Sequence, residues 1–218
     1  MLILGYIVVM VGAYLLGSIP TGFLVAKARG VDIRAVGSGN IGATNVFRTL
    51  GKTAGVFVLV VDALKGYVAC RFIGDWVAQL FGVAGDMTSQ EYFSIIAGFC
   101  AVLGHNFTCW LHFKGGKGIA TSAGVLLALF PKALLCAAGV WVVVVTVSRY
   151  VSLASITAAI WLPFLVWWFY FSERLIAVAV IMAALAVFRH KDNIRRLAKG
   201  TENRIGEKKA SPSTGAGP

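Results

Sequence analysis

The sequence predicts an all-α integral membrane protein of about seven transmembrane helices, and three observations predict it. Hydrophobic residues make up 58% of the 218 and charged residues only 13%, whereas soluble domains carry about 25% charged residues. Apolar runs follow one another along the chain, at roughly 3–26, 54–74, 92–109, 118–131, 133–148, 152–170 and 174–189. The basic residues fall between and after these runs. A net charge of +11 on a nucleic-acid binder would spread over a hydrophilic fold, so that class of partner is excluded.

Taken in order, the first run is too long for a signal-peptide core and lacks a basic leader, so it is expected to be a retained span. Several later runs fall short of the ~20 apolar residues a straight span needs. Short runs suit helices that are re-entrant or that surround a water-filled cavity. Only Pro131-Lys132 separates the fourth run from the fifth. Cys70, Cys100, Cys109 and Cys136 show no metal or redox spacing and are expected to be small core residues.

Charge orients this arrangement. Lys27, Arg29, Arg34, Arg48 and Lys52 lie in the first loop, Lys114 and Lys117 in the third and Arg149 in the fifth. Arg189, Lys191, Arg195, Arg196, Lys199, Arg204, Lys208 and Lys209 follow the last run, which puts 16 of the 20 basic residues on one side. The positive-inside rule then places the N-terminus outside and the C-terminus in the cytoplasm, with the polar loops on the cytoplasmic face. Residues 1–205 form one transmembrane domain, and 206–218, poor in apolar residues, are expected to be a disordered cytoplasmic tail.

Chemistry-bearing residues concentrate in these loops. Gly37-Ser38-Gly39-Asn40-Ile41-Gly42-Ala43-Thr44-Asn45-Val46-Phe47-Arg48 combines glycines that let backbone approach a ligand with neutral hydrogen-bond groups and one guanidinium. A short helix over about Ile41–Leu50, closed by Gly51, would put Thr44, Asn45 and Arg48 on one face. Its Gly-x-Gly-x-x-Gly follows an apolar run, not a strand, so it is no dinucleotide fingerprint.

The second candidate runs from Gly104-His105-Asn106 to Phe113-Lys114-Gly115-Gly116-Lys117-Gly118. Backbone N–H groups and ammonium charge are expected to meet one anion there, although the spacing is not that of a Walker A loop. Phe107, Trp110 and Phe113 suit the headgroup level. Asn106-Phe107-Thr108 matches a glycosylation sequon, which a cytoplasmic loop would not use.

The third candidate, Arg189-His190-Lys191-Asp192-Asn193, puts His190 and Asn193 three apart at the end of the last run, both able to face inward. Arg195 and Lys199 suit lipid anchoring. Ser152 and Ser155 open the sixth run, where serine is commonly a cap or packing group. Asp62 and Lys65 lie three apart inside the second run, as a functional site or as a mutual pair. Anion-binding groups abound and protein nucleophiles are few, a composition suited to transfer between phosphate-bearing substrates.

At these residues the chain resembles the bacterial acyl-phosphate-dependent glycerol-3-phosphate acyltransferases of the PlsY type. The resemblance rests on the Gly37–Arg48 loop, Asp62-x-x-Lys65-Gly66, Gly104-His105 with Phe-Lys-Gly-Gly-Lys-Gly, Ser152-Leu153, and Arg189-His190-x-x-Asn193-Ile194-x-Arg196-Leu197, and extends to about residue 205. One departure is Thr108, where that family usually has proline.

The resemblance implies a multi-pass enzyme of the bacterial inner membrane with a cytoplasmic active site and no metal or organic cofactor. Its substrates would be acyl phosphate and glycerol 3-phosphate, its products lysophosphatidic acid and inorganic phosphate. On this reading Ser38, Arg48 and Lys117 hold the glycerol 3-phosphate phosphate, while Asn40, Thr44, Asn45 and the loop glycines Gly39 and Gly42 cradle the acyl phosphate. His105, Lys114, Gly115, Gly116 and Gly118 complete the phosphate-binding set, and Ser152, His190 and Asn193 orient the reacting groups. Membrane lipid is the further partner implied, and the sequence leaves the oligomeric state open, a monomer included. The competing class is a transporter of a small phosphorylated solute or anion, which also uses basic loops at broken helices.

Overall fold

The computed structural model describes residues 1–82 and 86–206. Among the described residues every regular element is a helix: α1 Leu2–Ser18, α2 Thr21–Lys27, α3 Ala43–Leu50, α4 Lys52–Val68, α5 Asp75–Leu80, α6 Met87–Asn106, α7 Ile119–Leu129, α8 Pro131–Ser148, α9 Val151–Tyr170, α10 Glu173–Arg189 and α11 Lys191–Ala198. A π-helical turn, Ala69–Gly74, joins α4 to α5, and a single 3₁₀ turn spans Cys109–Leu111.

The seven apolar runs fall mostly on helix, the first broken at Ile19-Pro20 into α1 and α2 and the third running past the end of α6. Among the described residues, four stretches are long and apolar enough to cross a membrane: Leu2–Lys27, Ser89–Leu111, Pro131–Ser148 and Val151–Tyr170. Ile119–Leu129 is a shorter apolar helix. Outward faces are apolar in keeping with a lipid surround, as at Leu135 (72% exposed), Val147 (83%) and Trp168 (57%). The tail from residue 207 onward lies outside the described residues.

Lipid removes most of the hydrophobic drive between spanning helices, so close backbone approach at small residues takes over. A Cβ on Gly17 of α1 would overlap the backbone of Ala101 in α6, and one on Gly104 would overlap the carbonyl of Tyr14. Gly66 of α4 and Gly124 of α7 are related in the same reciprocal way, against Thr121 O and Ala63 O. These two interfaces are therefore set by residues with no side chain to spare.

Three apolar clusters fill the spaces between. One joins α1, the π turn, α5 and α6 around Val9 and Phe93, a second joins α2, α3 and α4 around Ile33 and Val46, and the third joins the π turn and α6 to α7, α8, α9 and α10 around Phe130, Leu162 and Met182. Cys70 belongs to the third cluster, whereas Cys136 is exposed on α8, contrary to the expectation that all four cysteines are core residues. Thr108, the departure from the family pattern, has φ −63 and so keeps a backbone angle that proline favours, and its hydroxyl donates to Ser18 O at 2.6 Å.

Candidate active site

The Gly37–Arg48 loop is shaped by its own amides. Gly37 and Gly39 take φ of 61 and 69, left-handed angles that glycine adopts without steric cost. Asn40 Oδ1 accepts from Gly42 N at 2.8 Å, closing an Asx turn into α3. Asn45 is 2% exposed. Its Oδ1 accepts from Ser38 N at 2.8 Å, and its Nδ2 donates to Ile33 O and Val36 O, both at 3.1 Å. Both its N–H donors are thus taken, so Asn45 serves to hold the loop that presents Ser38. The helix begins at Ala43, two residues later than the sequence pattern indicates, and ends at Gly51, φ 89.

The Gly115-Gly116 pair behaves differently from the sequence expectation. Its N–H groups donate to Asn106 O at 3.2 Å and His105 O at 3.0 Å. They therefore satisfy the orphan carbonyls at the end of α6 and are not offered to a ligand. Arg189 clamps the other side: Nε and Nη2 donate to Gly116 O at 3.1 and 2.7 Å, and Nη2 donates to Gly115 O at 3.2 Å. Its guanidinium also stacks over Phe107, 4.9 Å from the ring centre, so Phe107 supports a loop clamp while Trp110 and Phe113 remain outward-facing. The next residue, Lys117, is delivered into a cavity.

That cavity has a volume of about 410 Å³. Its polar wall carries Ser38, Asn40, Gly42, Thr44, Asn45, Arg48, Lys117, Gly118, Ser152, His190 and Asn193. Gly39, His105, Lys114, Gly115 and Gly116 do not line it: Lys114 is exposed and His105 is buried against Lys65, 2.9 Å away. The N-termini of α3, α7 and α9 all open onto the cavity, at Gly42–Ala43, Gly118–Ile119 and Val151–Ser152. None of the three has a side-chain cap. Unpaired N–H groups and the positive ends of the helix dipoles there favour an anion.

Glu202 is the residue that sequence reasoning missed. It sits beyond α11, only 8% exposed, and organises the polar wall. Its Oε1 accepts from Ser152 Oγ at 3.0 Å and from Asn193 Nδ2 at 2.8 Å, and its Oε2 accepts from Arg196 Nε at 2.7 Å. Lys117 Nζ donates to Asn193 Oδ1, which completes a chain from the loop lysine to the C-terminal segment. That segment is tied down by Arg48 Nη2 to Asn203 O (3.2 Å), Ile205 N to Arg149 O (2.8 Å) and Arg149 Nη2 to Ile205 O (2.9 Å). Glu202 is one of three acids, with Asp192 and Glu207, in a strongly basic tail, and no spacing marks it out.

His190 is 3% exposed, and its Nδ1 lies 2.7 Å from Ala186 O. A carbonyl only accepts, so Nδ1 carries the proton and Nε2 is left as an acceptor. Burial pushes the imidazole down to about 4, against the upward pull of that hydrogen bond, so the ring is neutral at pH 7. Burial also pulls the Lys117 ammonium down to about 8, with Glu202 opposing and Arg196, Arg48 and Arg189 assisting. Arg48 is lowered as well, first by burial.

Away from this wall the cavity becomes apolar, with Leu59, Leu126, Leu134, Leu162, Met182 and Ala183 among its lining. Ser152 and Leu162 are ten residues apart on α9, about 15 Å at 1.5 Å per residue. One continuous space thus joins a cationic head to an apolar trough, the shape of an amphiphile carrying an anionic group.

Comparison with known proteins agrees with this shape. The sequence profile described as Glycerol-3-phosphate acyltransferase matches residues 7–200. The glycerol-3-phosphate acyltransferase of Geotalea daltonii is 50% identical over 197 residues, covering 90% of this chain and 96% of its own. That of Desulforamulus reducens is 45% identical over 204 residues, covering 93% and 96%. Two crystal structures of PlsY (YgiH), an integral membrane glycerol 3-phosphate acyltransferase, share the fold. Its glycerol 3-phosphate form has a TM-score of 0.81 at 40% identity, covering 92% of this chain and 96% of that one. Its lysophosphatidic acid form has a TM-score of 0.79 at 39% identity, covering 92% and 95%. The chain belongs to the family of integral membrane glycerol-3-phosphate acyltransferases of the PlsY type.

Proposed function

We propose that this enzyme transfers a fatty acyl chain from acyl phosphate to the 1-hydroxyl of glycerol 3-phosphate, giving lysophosphatidic acid and inorganic phosphate, the first step of membrane phospholipid synthesis. The observation that carries this reading is the cavity in which Arg48, Lys117 and three uncapped helix N-termini adjoin an apolar trough. A phosphate at the polar wall and an acyl chain between α7, α8, α9 and α10 use both halves. The solved relatives, one structure in a glycerol 3-phosphate form and one in a lysophosphatidic acid form, support substrate and product of this kind. The enzyme is placed in the bacterial inner membrane with seven spans, its N-terminus outside and the cavity mouth in the cytoplasm, as the distribution of basic residues favours.

Acyl phosphate is a mixed anhydride, so no acyl-enzyme is needed. The O1 hydroxyl of glycerol 3-phosphate forms a bond to the acyl carbon, the bond from that carbon to the phosphate oxygen breaks, and phosphate leaves with the electron pair. Ser38, Arg48 and Lys117 hold the glycerol 3-phosphate phosphate, and Asn40 and Thr44 with the α3 N-terminus cradle the acyl phosphate. Ser152 and Asn193, both fixed by Glu202, orient the hydroxyl and the carbonyl. Positioning and electrostatic stabilisation supply the rate enhancement.

The hydroxyl proton goes to substrate phosphate. A phosphate monoester dianion, with its second pKa near 6, is a stronger base than an imidazole pushed down to about 4. His190, on the cavity wall, is then a hydrogen-bonding positioner with Nε2 as its acceptor.

Purified protein in detergent or lipid, given glycerol 3-phosphate and palmitoyl phosphate, is expected to release inorganic phosphate only when both are present. Palmitoyl-CoA should yield no product. Absence of phosphate release from folded protein would reject the acyltransferase reading and turn attention to solute uptake in proteoliposomes.

A further inference from the structure

We infer that the buried cluster of Asp62, Lys65 and His105 positions Lys117 for phosphate binding, acting through the Gly115-Gly116 segment. This rests on the reading of Lys117 as a phosphate ligand. The cluster lies outside the cavity lining, and the acyl-transfer chemistry above does not use it. Lys65 is 4% exposed, Asp62 1% and His105 5%.

Lys65 Nζ makes three contacts, matching the three donors of an ammonium: Asp62 Oδ1 at 2.9 Å, His105 Nδ1 at 2.9 Å and Ile19 O at 3.0 Å. Thr21 Oγ1 donates to the same Asp62 oxygen at 3.0 Å. A pair within one helix would need none of the outer partners. Here the charges of α4 reach the break between α1 and α2 and the last turn of α6 together. A buried ion pair stabilises a fold no better than apolar residues of similar volume, so what it contributes is a defined geometry.

That geometry is passed to Gly116. Lys65 can only donate, so His105 Nδ1 accepts and the imidazole is held in one orientation. The ring edge then lies against Gly116: a Cβ there would overlap His105 Nε2. His105 O accepts the Gly116 N–H at 3.0 Å, while Arg189 holds the Gly116 carbonyl at 2.7 Å. Gly116 is therefore gripped at its N–H, its α-carbon and its carbonyl, and the side chain of the adjoining Lys117 leaves this fixed peptide for the cavity. Displacing a binding group by about 1 Å can cost as much as ~100-fold in rate.

The test uses the full-length enzyme with Asp62→Asn/Lys65→Met, which removes both charges together, and with His105→Phe and His105→Asn. Asparagine keeps an acceptor near the Nδ1 position and phenylalanine does not. The double variant and His105→Phe are expected to raise KM for one of the two phosphate substrates about tenfold, with kcat within about threefold and melting temperature in detergent near wild type. His105→Asn keeps the acceptor for Lys65 and the bond from the Gly116 N–H to the residue 105 carbonyl but loses the ring edge, so its KM should fall between wild type and His105→Phe. Unchanged KM for both substrates, a fall in kcat alone, or equal damage from asparagine and phenylalanine would overturn the proposal. If the double variant is not recovered folded, the two His105 variants decide the matter. Calorimetric binding of glycerol 3-phosphate and of inorganic phosphate reports the placement of Lys117 without turnover. Weakened binding in His105→Phe would support the proposal even if the wild type transferred no acyl group.

Discussion

Replacing Glu202 with glutamine tests whether the C-terminal segment belongs to the catalytic apparatus. The carboxylate accepts three hydrogen bonds, from Ser152, Asn193 and Arg196, at 3.0, 2.8 and 2.7 Å. An amide of the same shape has only one oxygen. Either the Arg196 contact becomes donor against donor, or Ser152 and Asn193 lose their shared acceptor. Hydrogen bonds to a charged group are worth about 1.5–3 kcal/mol each, and neutral ones about 1. With part of the set retained as neutral bonds, the net loss is about 2–3 kcal/mol, or about 30- to 160-fold in kcat/KM at 1.36 kcal/mol per decade. The segment keeps its Arg149–Ile205 and Arg48–Asn203 bonds, so the variant should fold. Phosphate release from palmitoyl phosphate and glycerol 3-phosphate is the assay, with Arg196→Met and the double variant closing a cycle. Coupling of about 1 kcal/mol or more is expected between the two residues. If Glu202→Gln retained more than about a third of wild-type kcat/KM, Glu202 would be a fold contact and its ordering of Ser152 and Asn193 immaterial to catalysis.

His190→Gln should retain more than about a tenth of the wild-type rate if substrate phosphate takes the proton, whereas loss of a true general base costs typically 10²–10⁴-fold. Lys117 is charged below about pH 8 and neutral above it in the free enzyme. So kcat/KM should fall as pH rises through that value, while kcat holds to higher pH because bound phosphate stabilises the ammonium. Lys117→Arg should remove that alkaline limb, at a lower maximum because the guanidinium is larger. Asn45→Ala frees the Ser38 N–H and two carbonyls at once; a stability loss of about 2–3 kcal/mol, measured by thermal unfolding in detergent, should accompany weaker glycerol 3-phosphate binding.

The helices were legible because their signals are local. Lipid-facing and core positions are both apolar, so each run marks a helix whatever it packs against. Gly51 and Pro131 punctuate the chain by backbone preference, and Arg149 does so as a charge between two apolar runs. His190 and Asn193 were legible as a pair because three residues is nearly one helical turn, and the structure places both on the cavity wall. The Asp62–Lys65 pairing was legible for the same reason, and the two form a 2.9 Å ion pair.

What only the tertiary structure decided concerns groups whose partners are distant in sequence. Gly115 and Gly116 read as an anion-binding nest, but α6 leaves unpaired carbonyls at its end and these claim both N–H groups first. His105 read as a phosphate ligand, yet the charges of α4 meet it from 40 residues away. Arg189 read only as one of the cations after the last run and is a loop clamp 73 residues from its acceptor. Glu202 reaches Ser152 across 50 residues, a distance no helical period or motif spacing encodes. Sequence by itself determined the membrane class, the helices and the family, because hydropathy and short motifs are properties of neighbouring residues. Which polar groups face the ligand and which are spent holding the protein together depended on competition for hydrogen-bond partners, and that was settled only when the helices packed.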